Sequence, residues 1–202
     1  MSGIGIVGVK SSTKSIVAAL LSQTNDKMAF IRSPEALLYK QLTGEDAPKD
    51  IMGYLDVYLD FLKAMDDRYS KYEFFVTDYT PIDMMVDIKS FLASFRHTLK
   101  EEEVLKAMEI DLECVRVANL HFNCVILCNP AEGLPILSDF ALNINHLFYN
   151  GIMSAQNQGL MMHRSALSNK ITDIHQQVEQ VKNFINCLGQ SLMREKENYF
   201  IH

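Results

Sequence analysis

Short apolar runs alternate with longer amphipathic stretches along this chain. Ile4–Val7, Met28–Ile31, Glu73–Thr77 and Phe122–Cys128 are each a few residues long and bounded by glycine, charge or an Asn129-Pro130 stop. Such runs predict buried strands, and Leu160–His163 reads as one more. Between them the apolar spacing widens to the helical period. A helix is expected from Lys14 to about Ser22, and another after Ser33-Pro34-Glu35, where proline takes the first helical position. Pro48-Lys49-Asp50 opens a third, with Ile51, Leu55, Tyr58, Leu59, Leu62 and Met65 recurring at helical spacing. Further helical patterns run from Met84 to about Leu99, from Glu101 to about Asn119, over Asp139–Tyr149, and from Ser168 to about Glu197. Alternation of this kind predicts an α/β fold with a mainly parallel sheet. No linker or repeat divides residues 1–202, so a single domain is expected.

The joint between the first strand and the first helix carries the candidate chemistry. Gly8-Val-Lys10-Ser11-Ser12-Thr13-Lys14-Ser15 follows the phosphate-binding pattern G-x-x-x-x-G-K-[ST], except that Thr13 stands at the second glycine. In such a loop, successive backbone N–H groups and the following helix N-terminus surround phosphate oxygens. Gly8, Lys10, Ser11, Ser12, Thr13, Lys14 and Ser15 are therefore the candidate nucleotide-binding residues. Lys14 would reach the β- and γ-phosphates, and the Ser15 hydroxyl would take a place on Mg²⁺. A β-branched threonine is costly at position 13 if the loop needs a positive φ there. Two other readings compete. Gly3-Ile-Gly-Ile-Val-Gly8 spells the dinucleotide fingerprint G-x-G-x-x-G, but that fingerprint follows a strand and only Met1 and Ser2 stand ahead of it. The plainest alternative is a glycine-containing turn with solvated lysines.

A second segment, Val76-Thr-Asp78-Tyr-Thr-Pro-Ile-Asp83, places Asp78 at the carboxyl end of the third strand. Ligands of open α/β sheets bind there, so Asp78 is a candidate for metal binding or for accepting a proton. Asp83, near the next helix start, either compensates the helix dipole or touches ligand. Asn143, Asn145, His146 and Tyr149 form either a polar helix surface or one wall of a base pocket.

A net charge of −6 argues against broad, sequence-independent nucleic-acid binding. Cys114, Cys124, Cys128 and Cys187 form no C-x-x-C pair, and the six histidines show no H-E-x-x-H spacing. A reduced, cytoplasmic setting without metal-binding cysteines is expected. No apolar run reaches the length of a membrane span, so no membrane partner is expected. On the last helix Ile171, Ile174, Val178, Val181, Phe184, Ile185, Leu188 and Leu192 make a broad apolar stripe, suited to packing on the sheet or to pairing in a homodimer.

The strand and loop to Ser15, a second strand ending in Arg32, and a third followed by Asp78 and Asp83 resemble phage and bacterial P-loop kinases. These include nucleoside and nucleotide kinases and predicted AAA-type phage ATPases. The Gly8–Ser15 loop is also similar to the Gly-Val-Lys-x-Ser-Gly-Lys loop of phage deoxynucleoside monophosphate kinases, and the resemblance spans roughly the first ninety residues. It implies a three-layer P-loop sandwich that uses ATP and Mg²⁺ and transfers phosphoryl to a nucleoside, nucleotide or modified DNA base. It implies that Lys14 and Asp78 are catalytic, that Ser15 and Asp78 serve the metal, and that Arg32 meets the acceptor, with Asp83 beside it. Arg164 is the candidate lid residue, and a phage-encoded chain would work in the host cytoplasm. Thr13 and Tyr79 depart from the glycine and arginine of the family pattern. The alternative is therefore a catalytically degenerate P-loop fold acting as an interaction or oligomerising module.

Overall fold

The computed structural model describes residues 2–8, 13–33, 35–128, 147–148, 150–153, 155–167 and 173–199. Its strands are β1 (Ser2–Val7), β2 (Ala29–Ile31), β3 (Phe74–Thr77), β4 (Phe122–Leu127) and β5 (His163–Ala166). They form one sheet in the order β2-β3-β1-β4-β5, and all four pairings are parallel. The helices are α1 (Lys14–Ser22), α2 (Glu35–Thr43), α3 (Ile51–Tyr69), α4 (Pro81–Ala93), α5 (Glu101–His121) and α6 (Ile174–Tyr199). Residues 147–148, 150–153 and 155–157 are also helical.

Successive strand side chains point to opposite faces, and this splits the core in two. Ile4, Ile6, Val76, Cys124 and Ile126 join α1 and α6 on one face. Phe75, Phe122, Val125 and Leu127 join α2 to α5 on the other, with Phe148 and Ile152. The result is an α/β fold with helices on both sides of a parallel sheet, as the alternation predicts.

Helix starts follow local chemistry. Asp50 caps α3 by accepting from the Gly53 amide at 2.8 Å. Thr80 caps α4, with Pro81 at the first helical position and Asp83 completing a capping box. That box starts α4 three residues before Met84, and the helix ends at Ala93 rather than near Leu99. The last expected strand also shifts, from Leu160–His163 to His163–Ala166. Asn119 explains the shift: its side chain donates to Gly159 O and accepts from Met161 N, both at 2.9 Å, holding these residues in a turn. Polar β5 then forms the sheet edge, a position that tolerates exposed polar side chains.

The α6 stripe lies against the sheet: Val178 and Val181 are buried, and Ile174, Phe184, Ile185 and Leu188 pack on the same core. Ile171 and the Leu192 side chain lie outside the described residues, as does most of the expected 139–149 helix. Cys114, Cys124 and Cys128 are buried, Cys187 is exposed, and none is in a disulfide. Among the described residues no helix is long and apolar enough to cross a membrane.

Candidate active site

β1 and β3 are neighbours in parallel register, with Gly5 opposite Thr77. The helices that follow them leave toward opposite faces, α1 to one core and α4 to the other. Divergence of this kind opens a crevice at the carboxyl ends of the strands. Lys14 and Asp83, from the first turns of these two helices, meet across it. Lys14 Nζ donates to Asp83 Oδ1 at 3.1 Å, with the two side chains only 6% and 2% exposed. The other carboxylate oxygen, Oδ2, accepts from Thr80 N and Thr80 Oγ1, both at 2.8 Å. Burial pushes the Asp83 carboxyl above its ordinary range, while the Lys14 charge and the Thr80 bonds hold it back. The Tyr79 ring lies 5.9 Å from Lys14 Nζ. Its hydroxyl donates to Asp87 Oδ2 at 2.9 Å, so at the position of the family arginine this chain has a buried aromatic wall.

Gly8 has φ +144°, and a Cβ there would come within 2.5 Å of Cys128 O. Both facts require glycine. Thr13 is different: its φ of −74° suits any residue, so the missing second glycine brings no backbone strain. The Thr13 carbonyl accepts the Ile16 and Val17 amides at 3.0 and 2.9 Å. Its hydroxyl donates to Gln177 Oε1 on α6 at 2.7 Å and lies 3.7 Å from Cys128 Sγ. Among the described residues no side chain caps α1, and its first turn holds no acidic residue, leaving an electropositive helix end beside Lys14. Thr13→Val is expected to lower stability by about 1 kcal/mol, because buried Gln177 loses this donor. Thr13→Ser should stay near wild type, and urea denaturation of the three proteins checks this.

Asp78 follows β3 directly, is buried, and accepts the Ser33 amide at 2.8 Å through Oδ1. Ser15 sits exposed on the first turn of α1. Arg32 is exposed at the end of β2, and its carbonyl accepts from Arg68 Nη1 at 3.2 Å. Arg68 belongs to a cleft of about 260 Å³ lined by Ile31, Phe61, Met65, Tyr69 and Thr77, at the carboxyl ends of β2 and β3. Arg164 is placed elsewhere, on edge strand β5, where its guanidinium contacts Gln156 and Met153. Lys10, Ser11, Ser12, Asn143, Asn145, His146 and Tyr149 lie outside the described residues.

The structure brings Lys14 and Asp83 together, places Asp78 after β3 against Ser33, and adds residues the sequence reading missed. Arg68 interrupts an otherwise apolar helix face at the spacing Phe61, Met65, Arg68, which is the signal that could have revealed it. Gln177 had no such signal, since its role depends on elements brought together by the fold, whereas Thr80-Pro-Ile-Asp83 spells a capping box in the sequence itself. Among the described residues no cluster of three or more His, Cys, Asp or Glu side chains could hold a metal ion.

No protein-family model matches the sequence, and no curated protein matches it. Solved structures do match, and together with the parallel sheet they show an α/β fold shared with nucleoside and nucleotide kinases. Deoxyadenosine kinase from M. mycoides with bound dATP aligns with a TM-score of 0.64 at 14% identity, over 91% of this chain and 99% of that one. Thymidylate kinase from Candida albicans aligns at 0.58 with 13% identity, over 93% and 92%. YorR from Bacillus subtilis, in complex with phosphorylated GDP, aligns at 0.51 with 13% identity, over 94% and 98%.

Proposed function

We propose that this chain is a P-loop kinase that transfers the γ-phosphoryl group of ATP to a nucleoside or nucleotide acceptor. The observation that carries the proposal is the N-terminus of α1, uncapped among the described residues, with Lys14 held beside it across the crevice from Asp83. This combination favours bound phosphate. The Ser15 hydroxyl and the Asp78 carboxylate are hard oxygen donors suited to Mg²⁺, which when bound neutralises phosphate charge. The acceptor oxygen would attack the γ-phosphorus as the bond to the β–γ bridging oxygen breaks, releasing ADP. Asp78, whose Oδ1 accepts the Ser33 amide, would take the acceptor proton. Lys14 would turn from Asp83 toward the phosphates, and Asp83 would hold it ready between turnovers.

The Arg68 cleft supports a free acceptor: its apolar walls suit a flat base, and its guanidinium suits a polar edge or phosphate. A net charge of −6 also favours a free acceptor over a modified base within DNA. The Gly-Val-Lys loop is the basis for placing the chain among phage-type kinases, and Cys114, Cys124 and Cys128, buried and in no disulfide, suit a reducing cytoplasm.

A degenerate, non-catalytic role has one observation in its favour: Thr13, Lys14 and Asp78 all have partners within the protein. ADP release from Mg²⁺-ATP, measured against a panel of deoxynucleosides and their monophosphates, separates the two. Kinase activity predicts acceptor-dependent ADP release that falls by roughly 10²-fold or more in Asp78→Asn, with ATP binding retained. Absence of release with every acceptor, from folded protein, would reject the proposal.

A further inference from the structure

We propose that Gln177, on α6, is a positioning residue for the phosphate loop: it holds the loop's C-terminal end through the Thr13 hydroxyl and so sets nucleotide affinity without touching nucleotide. The effect on nucleotide rests on the kinase reading, whereas the hold on the loop does not. Gln177 is a buried polar residue on an apolar helix face, only 3% exposed. Ile174, Val178, Val181 and Phe184 of the same helix pack on the core that holds Val17, Ala18 and Leu21 of α1. An amide in such a place is costly unless it is bonded, and the Thr13 hydroxyl bonds its Oε1 at 2.7 Å.

Both partners sit on fixed supports. At the start of α6, Asp173 Oδ1 accepts the Gln176 amide at 2.9 Å and the Asp173 carbonyl accepts the Gln177 amide at 3.1 Å. At the start of α1, the Thr13 carbonyl accepts the Ile16 and Val17 amides. The Thr13–Gln177 bond therefore ties one helix start to the other. Cys128 stands beside both ends of the loop. Its carbonyl oxygen lies against Gly8, where a Cβ would come within 2.5 Å, and its Sγ is 3.7 Å from Thr13 Oγ1. Gly8 and Thr13 are thus both set against the end of β4, and Gln177 adds a directional bond at the Thr13 end. A glycine at position 13 would have no side chain with which to make that bond. A loop ordered before its ligand arrives spends less binding free energy on ordering, so the bond should tighten nucleotide binding.

Hydrogen exchange and calorimetric titration of Mg²⁺-ATP test the hold and its consequence separately. Gln177→Leu keeps most of the side-chain volume and removes the acceptor, and Thr13→Val removes the donor. Val181→Ala, further along the same buried face, is the control for lost packing alone. In nucleotide-free protein the Ile16 and Val17 amides should exchange at least about threefold faster in Gln177→Leu and Thr13→Val than in wild type or Val181→Ala. Each of the two variants should bind Mg²⁺-ATP about fivefold more weakly, the worth of one neutral hydrogen bond. The double variant should be no weaker than either single, because both remove the same bond. Thr13→Ser should bind as wild type does. Val181→Ala should lower the urea midpoint and leave affinity within about twofold of wild type. Unchanged affinity in both singles, additive losses in the double variant, or an equal loss in Val181→Ala would each overturn the proposal. If wild type binds no Mg²⁺-ATP, the kinase reading fails and exchange alone decides the hold. Ile16 and Val17 amides that exchange at the wild-type rate would then overturn it.

Discussion

Lys14→Met is expected to remove nucleotide binding and to destabilise the fold, and the second loss alone should be repaired by Asp83→Asn. With its ion-pair partner across the crevice gone, Asp83 is a buried carboxylate left with the bonds from Thr80. Removing one member of a buried pair costs about 3–5 kcal/mol. In Lys14→Met/Asp83→Asn the buried charge is gone, and the amide oxygen can still accept from Thr80, so most of the stability should return. Phosphoryl transfer should stay down by roughly 10²- to 10³-fold in both variants, because nothing replaces the ammonium at the phosphates. The pH dependence has a definite sign. Asp83 already lies above its ordinary value of 3.8 through burial, and without Lys14 it rises further. A carboxyl raised in the folded state is least harmful below its unfolded pKa and weakens the fold as pH rises toward the folded one. The stability gap between Lys14→Met and wild type should therefore widen from mild acid to neutrality. It should not widen for the double variant. Urea titrations across that pH range, with calorimetric titration of Mg²⁺-ATP, measure both effects; a pH-independent gap would mean that the pair is not what Lys14 contributes.

Gly8→Ala should be the most damaging single-methyl change in the loop. The residue lies at φ +144°, and the added carbon would meet the Cys128 carbonyl oxygen at 2.5 Å and its carbon at 3.3 Å. Neither contact is with a flexible side chain. Cys128 cannot withdraw cheaply, because its amide donates to Val7 O at 2.7 Å and extends the β1–β4 pairing. Strain and overpacking together are expected to cost about 3 kcal/mol. The protein that remains folded should lose Mg²⁺-ATP binding, since the turn entering the phosphate loop must move. A denaturation midpoint within error of wild type would show that the loop leaves β1 by another path.

What could be read from the sequence was whatever short-range patterns encode. The run Ile4–Val7, Gly8 and the Lys14 helix start appear where the apolar spacing puts them, and Asp78 does follow a strand. Leu160–Met162 misled because three apolar residues look like a strand whether they are buried or turned outward. Asn119, some forty positions earlier, decides the matter. The Lys14–Asp83 contact was equally invisible, since it joins helices on opposite faces of the sheet. Thr13 looked like a defect because the motif reports a residue type, while the physical question is a dihedral angle, and that angle is ordinary.

The placement of β1 bears on how the chain comes to be made. β1 precedes both of its neighbours in the sequence yet lies between them, with β3 on one side and β4 on the other. During synthesis it must wait with both edges unpaired until residues 74–77 emerge, and with one edge open until residues 122–127 follow. The Gln177 anchor for Thr13 arrives later still. Non-local pairing of this kind slows folding and leaves strand edges open to wrong partners. In a nascent chain the Thr13 side chain would thus emerge long before the Gln177 oxygen that anchors it.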